Sequence, residues 1–382
     1  MSGGAPFVVQ GRLVLDDRVA GGQVTVQDDR IVAVELVHDM HDAPDDCPIL
    51  APGFVDVHVH GWGGHDAMGD SAALDGMARA LLRRGVTSFL PTAVSAPLAD
   101  LVRFAERVRT WMPDAPTDGA EPLGSNLEGP FLAPERRGAH DPAVLVAPAD
   151  VPRGELEPLL DGLRLITIAP ELPGALGLVV WFAERGVAVS LGHSAATIAE
   201  AAAGFAAGAR STTHLFNAMS GIDHRSPGVA AAALLEDDAW VELIADGIHV
   251  HPSLWALIAR LKPADRLMFV SDAIALAGMG DGQGWIGGLP VEVTDGRVTL
   301  AGTSTLAGSV LSLDVAVRNA VQAGIPLPAA VAAASRNPLA MLGITDRGRI
   351  AVGQRADLVE LAADFTVRRV MRAGAWQVGS PA

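Results

Sequence analysis

Ala51-Pro52-Gly53-Phe54-Val55-Asp56-Val57-His58-Val59-His60-Gly61 is the stretch on which the reading of this chain turns. Phe54 to Val57 is apolar and β-branched enough for a buried strand, and Gly61, Gly63 and Gly64 open a loop directly behind it. Alternate residues of a strand share a face. His58 and His60 therefore present both imidazoles to one side where the strand ends, within reach of a single metal ion. A His-x-His in that setting reads as a metal site.

Working outward, short β-rich runs alternate with helical segments, the pattern of a parallel α/β barrel. Strands are expected at Phe54–His60, Thr87–Val94, Ser125–Glu128, Leu165–Ala169, Val187–His193, Ser211–His214, Val241–Asp246 and Leu267–Asp272. Polar residues fall at their C-terminal ends: His58 and His60, Glu128, His193, His214 and Asp272. That rim is where such barrels build their active sites. Several histidines with a carboxylate suit Zn²⁺ or Fe²⁺, leaving room for a water whose pKa the cation lowers toward neutrality. Asp272, in Phe-Val-Ser-Asp-Ala, is placed to take a proton from that water and return it to a leaving nitrogen.

The two chain ends read differently. Phe7 to about Leu50 carries strand-like runs between turns, as do Arg349-Ile350, Ala356–Leu361 and Val367–Val378 around Gly353 and Gly374. Residues 1–50 and 346–382 are accordingly expected to form a small β-sandwich domain, and residues 51–345 a (β/α)8 metal-dependent hydrolase barrel. The alanine-rich run Ala199–Ala209 reads as a packed barrel helix.

Composition narrows the function. The chain has 382 residues, 49% of them hydrophobic and 19% charged, enough for one large domain and a smaller one. A formal net charge of -16 argues against nucleic acid or an anionic membrane as partner, while allowing a local basic site for a phosphorylated small molecule. Cys47 is the single cysteine, so no internal disulfide framework is possible, which fits a reducing compartment. No signal peptide or membrane span is expected, and the cytoplasm is the expected location.

The chain resembles the amidohydrolase superfamily and, within it, the N-acetylglucosamine-6-phosphate deacetylase family. The resemblance covers nearly the whole length. It rests on Pro-Gly-Phe-Val-Asp-Val-His-Val-His-Gly from Pro52, Leu-Glu-Gly-Pro-Phe from Leu127, Gly-Ala-His from Gly138, Leu-Gly-His-Ser from Leu191, Thr-His-Leu-Phe-Asn-Ala-Met from Thr213, His-Arg-x-Pro-Gly from His224, Ala-Asp-Gly-Ile-His from Ala245 and Val-Ser-Asp-Ala from Val270. Many binuclear members of the superfamily bridge their metals with a carboxylated lysine on a mid-barrel strand. The only lysine here is Lys262, before the last strand, so Glu128 is the available substitute.

The resemblance implies hydrolysis of the acetamide of N-acetyl-D-glucosamine 6-phosphate by a divalent-metal enzyme holding one or two ions per chain. It implies Glu128, His193 and His214 as ligands of the main metal, His58 and His60 for a second, and Asp272 as base and then acid. It further implies His249 as a substrate contact that polarises the carbonyl, Asn217, Ala218 and Arg225 at the phosphate, and Ala139, His140, Thr305, Leu306 and Ala307 along the sugar. A homodimer is implied, with some phosphate contacts crossing between subunits. His38, His41, His65, His224 and His251 match no such position. Three alternatives stay open: the galactosamine epimer as substrate, a cyclic-amide hydrolase of the same fold, and a non-catalytic sugar-phosphate-binding barrel.

Overall fold

A computed structural model of the chain describes residues 4–37 and 47–377, so His38 and His41 and the end of the last expected strand at Val378 lie outside the described residues. At its centre, eight parallel strands are hydrogen-bonded in sequence order: Phe54–Val59, Val86–Ala93, Ser125–Glu128, Leu163–Ile168, Ala188–Leu191, Ser211–Thr212, Trp240–Leu243 and Leu267–Phe269. A short segment, Glu121–Pro122, pairs beside the second of these. The last strand meets the first through single bonds rather than a ladder. The Asp272 N–H donates to the His58 carbonyl at 2.9 Å, and the His60 N–H to the Ala273 carbonyl at 2.8 Å. Buried Asp56 braces the same seam, its Oδ1 accepting N–H groups from His58 and Ser271, both at 3.3 Å. Burial pushes the Asp56 carboxyl up to about 6.

The helices follow from pattern and capping. Asp70 caps Ser71–Leu82 by accepting the Ala73 N–H, and Leu74, Met77, Ala78 and Leu81 recur at helical spacing to bury one face. The alanine-rich run forms Ile198–Ala206 behind a complete capping box between Thr197 and Glu200.

Strands from both chain ends join one seven-stranded sheet, set beside the barrel and antiparallel except where Phe7–Val14 runs parallel to Ile49–Pro52. Val9, Leu13, Val24, Ile31, Leu50, Leu358 and Met371 form its buried core. Arg349-Ile350, expected as strand, lies in a bend, and the expected Val367–Val378 strand splits into Val367–Arg372 and Ala375–Gln377, because the left-handed Ala373 and Gly374 turn the chain between them. Ile49–Pro52 passes through Gly53 straight into the first barrel strand. A Cβ at Gly53 would lie 2.3 Å from Thr87 Oγ1, so the crossing requires glycine.

A second small sheet was not expected from the sequence. Gly282–Ile286, Leu289–Thr294 and Arg297–Leu300 form two consecutive hairpins. Their loops, Gly287-Gly288 and Asp295-Gly296, have positive φ at both positions, the two-residue turn that matches strand twist. Val291, Val293 and Val298 pack on Val94 and Ile274 at the barrel rim and so place this sheet at the mouth of the site.

Candidate functional site

Glu128 is the last residue of the third strand and His58 lies inside the first. His193, His214 and Asp272, expected as strand-end residues, instead sit just past their strands in left-handed backbone, with φ of 47°, 30° and 51°. Positive φ is uncommon outside glycine and costs about 1–3 kcal/mol where it is held. The ladders have already ended, and the three side chains converge with Glu128 and the His58–His60 pair.

The result is a dense cluster around Glu128. His193 Nε2 and His214 Nε2 each lie 2.9 Å from Glu128 Oε1 and 3.1 Å from one another. On the other oxygen, Oε2, His60 Nε2 approaches to 3.2 Å and His140 Nε2 to 3.3 Å. His58 Nε2 and His60 Nε2 are 3.3 Å apart, and Asp272 Oδ1 is 3.1 Å from His60 Nε2 and 3.5 Å from His58 Nε2. Donors bonded to one tetrahedral zinc at about 2.0–2.1 Å stand about 3.3 Å from each other. The observed separations match donors arranged around a common cation.

Proton placement sharpens this. His193 Nδ1 faces the Arg136 carbonyl at 2.8 Å and His60 Nδ1 the Thr92 carbonyl at 3.1 Å. A carbonyl only accepts, so both Nδ1 atoms carry hydrogen and Nε2 is the nitrogen each ring presents to the cluster, where a metal would bind. Glu242 Oε2, 3.2 Å from His58 Nδ1, does the same for His58. His140 is the opposite case. The Ser95 N–H donates to its Nδ1 at 3.2 Å, which leaves hydrogen on Nε2 and makes His140 a donor to Glu128. It stands among groups that could hold a metal with Glu128 and His193, yet its tautomer fits a hydrogen-bond donor better than a ligand.

The charges agree. Burial opposes ionisation of Glu128, but His58, His193 and His140 outweigh it and hold the carboxyl well below its usual range. Asp272 is likewise held low against burial, chiefly by His60. Burial lowers His58 and His60, but the carboxylates around them prevail, taking His58 well above its usual range and His60 to about 9. His193 falls to about 4 because burial and its histidine neighbours outweigh Glu128. Carboxylates that favour protons on His58 and His60 equally favour a divalent cation that would displace those protons, and His58, His60, Glu128 and Asp272 form one group of donors that could hold it.

A cavity of about 330 Å³ opens over the cluster. Ala139, His140, Asn217, Ala218, His249, Thr305 and Leu306 line it together with His60, Glu128, His193, His214 and Asp272. Ala307 does not; it is buried beneath the small sheet. Arg225 does not either. It sits on an exposed loop outside the cavity, its backbone N–H held by Asp223 and its guanidinium without a partner among the described residues. The cavity's own cation is Arg136, the only lysine or arginine lining it among the described residues. Sequence reading passed over Arg136, Asp246, Glu242 and Ile286 of the small sheet. Glu242 carried a usable signal, an acid in the apolar run Val241–Ala245.

Comparison with known proteins gives this site its context. The Amidohydrolase family model matches residues 49–376. The chain belongs to the amidohydrolase family. Among amidohydrolase relatives, the chain is 39% identical to an N-acetylgalactosamine-6-phosphate deacetylase of Escherichia coli O157:H7 over 93% of each chain. It is 36% identical to an N-acetylglucosamine-6-phosphate deacetylase of Danio rerio, over 85% of this chain and 83% of the relative. The solved structure of a mutant N-acetyl-D-glucosamine-6-phosphate deacetylase from Mycobacterium smegmatis, in complex with N-acetyl-D-glucosamine-6-phosphate, superposes with a TM-score of 0.90 at 35% identity, covering 98% of this chain and 100% of that one.

Proposed function

We propose that the protein hydrolyses the acetamide of N-acetyl-D-glucosamine 6-phosphate to D-glucosamine 6-phosphate and acetate, in amino-sugar catabolism or cell-wall recycling. The observation that carries this reading is the Glu128–His193–His214 cluster with ionised Asp272 beside it, in a chain whose full-length relatives are amino-sugar-phosphate deacetylases. Glu128, His193 and His214 would hold one divalent ion and His58 and His60 a second, with zinc or iron the ions this donor set suits. Such a cation supplies the charge that lowers the pKa of water and polarises an amide carbonyl.

The chain's own groups do the rest. Asp272 accepts a proton as water oxygen adds to the carbonyl carbon, then passes it to the nitrogen as the C–N bond breaks, releasing acetate and the amine. His249 stabilises developing charge, and His140, whose Nε2–H is given to Glu128, lies along the sugar. The phosphate meets Asn217 and Ala218 at the cavity wall. Arg225 reaches it from the partner subunit of a homodimer, a reading supported by its position on an exposed loop outside its own cavity. The protein is read as cytoplasmic; no helix among the described residues is long and apolar enough to cross a membrane.

A second substrate has its own support, since an N-acetylgalactosamine-6-phosphate deacetylase is 39% identical. Acetate release from both epimers, each with and without the 6-phosphate, tests the reading. Preference for the phosphorylated glucosamine epimer is expected. Equal turnover of phosphorylated and unphosphorylated sugars would overturn it.

A further inference from the structure

We propose that Glu242 is the positioning residue that makes His58 a metal ligand and ties it to the turn that carries His214. The proposal rests on reading the cluster as a metal centre and is independent of which sugar the enzyme takes.

Glu242 lies on the seventh barrel strand, Trp240–Leu243, and is fully buried. Its neighbours Val241, Leu243, Ile244 and Ala245 are buried and apolar, so packing of that strand gives no reason for a charge. A carboxylate removed from water is costly unless donors meet it. Glu242 Oε2 meets two: His58 Nδ1 at 3.2 Å and the backbone N–H of His214 at 3.1 Å. Its Oε1 has no partner among the described residues.

These two donors belong to different parts of the centre. His58 stands with His60 and Asp272, whereas His214 stands with His193 on Glu128 Oε1. One buried oxygen therefore holds both parts in register. It also sets the chemistry of His58. With Nδ1–H directed to Glu242, Nε2 is the nitrogen that faces the cluster and would bind metal. At His60 the Nδ1 partner is instead a neutral carbonyl, that of Thr92. A carboxylate partner makes an imidazole the more basic ligand, so His58 is the stronger donor of the pair.

Zinc titration of metal-stripped protein against a competing chelator tests this without reference to turnover. Wild type is expected to show two binding steps. Glu242→Leu should weaken the second step by about 10- to 100-fold and leave the first within about threefold. Glu242→Gln keeps an oxygen acceptor for His58 and should lose less than about tenfold. In a His58→Ala background, replacing Glu242 should add nothing to the loss at the second step, because there the two residues act as one unit. Should Glu242→Leu fail to fold, the Gln variant tests the proposal by its smaller loss, which should fall on the second step alone and vanish in the His58→Ala background. Equal weakening of both steps, additive losses with His58→Ala, or a single wild-type step indifferent to His58→Ala would each overturn the proposal.

Discussion

Asp246 Oδ2 lies 2.7 Å from Nδ1 of His249, while Asp246 Oδ1 accepts the backbone N–H groups of Ile248 and His249. One carboxylate thus builds the turn and fixes the ring it serves. Burial opposes its ionisation, but His249 outweighs that and holds Asp246 below the usual carboxylate range. With Nδ1 committed to Asp246, Nε2 is the nitrogen left for a ligand in the cavity that His249 lines.

From this pairing, His249→Ala should lower kcat by about 10²–10³, the cost of removing one donor to a developing oxyanion. Asp246→Asn should lower it by roughly ten- to a hundredfold, corresponding to loss of a charge-assisted bond of about 1.5–3 kcal/mol. Steady-state kinetics of both variants check the order. An Asp246→Asn enzyme with wild-type kcat would show that the turn alone orients His249.

Replacing Asp272 with Asn keeps its size and removes its basicity. The expected outcome is a fall in kcat of at least about 10²–10⁴. Glu128, His193 and His214 stay in place, so the main ion should be retained. Elemental analysis beside kinetics distinguishes a proton carrier from a residue that only binds metal.

Arg225 and Arg136 make separable predictions at the phosphate. Arg225→Ala should raise KM for the phosphorylated sugar roughly ten- to a hundredfold. Because Arg225 lies outside its own cavity, mixing Arg225→Ala with Asp272→Asn subunits should restore activity in hybrid dimers, where one site has both residues intact. Hybrids as inactive as their parents would place Arg225 in its own subunit. Arg136→Ala, altering the cation that lines the cavity, should raise KM without responding to subunit mixing.

The junction between barrel and chain-end sheet predicts a pH dependence of stability. Glu121 accepts from Arg347 Nη1 at 3.0 Å and from Arg355, which also binds Asp357 Oδ2 at 2.7 Å. Burial opposes ionisation of Glu121, but Arg355 and Arg347 prevail and hold it below its ordinary 4.5. A depressed carboxyl pKa stabilises the fold above the unfolded value and loses that contribution as pH falls through the folded one. Wild type should therefore exceed Glu121→Gln by about 1–3 kcal/mol near neutrality, with the gap closing below pH 4.5. Urea melts from pH 3 to 7 check this; a constant gap would show that the pairing contributes nothing through charge.

The features legible from residue order are local and periodic. Apolar runs of strand length ending in His58, Glu128 or Asp272, spaced by helical segments, specify a parallel barrel with polar residues at one rim, because alternation and strand length are properties of a few consecutive residues. The two hairpins of the small sheet also carry a local signal, the two-residue turns Gly287-Gly288 and Asp295-Gly296. Tertiary structure alone decided who pairs with whom. Closing the barrel brings Glu242 to His58 across 184 residues, sets Ser95 against His140 so that its proton faces Glu128, and leaves Arg225 outside the cavity that Arg136 lines. These contacts depend on where separate strands and loops end in space, which no local pattern encodes, and they determine which nitrogen of each histidine is free to bind.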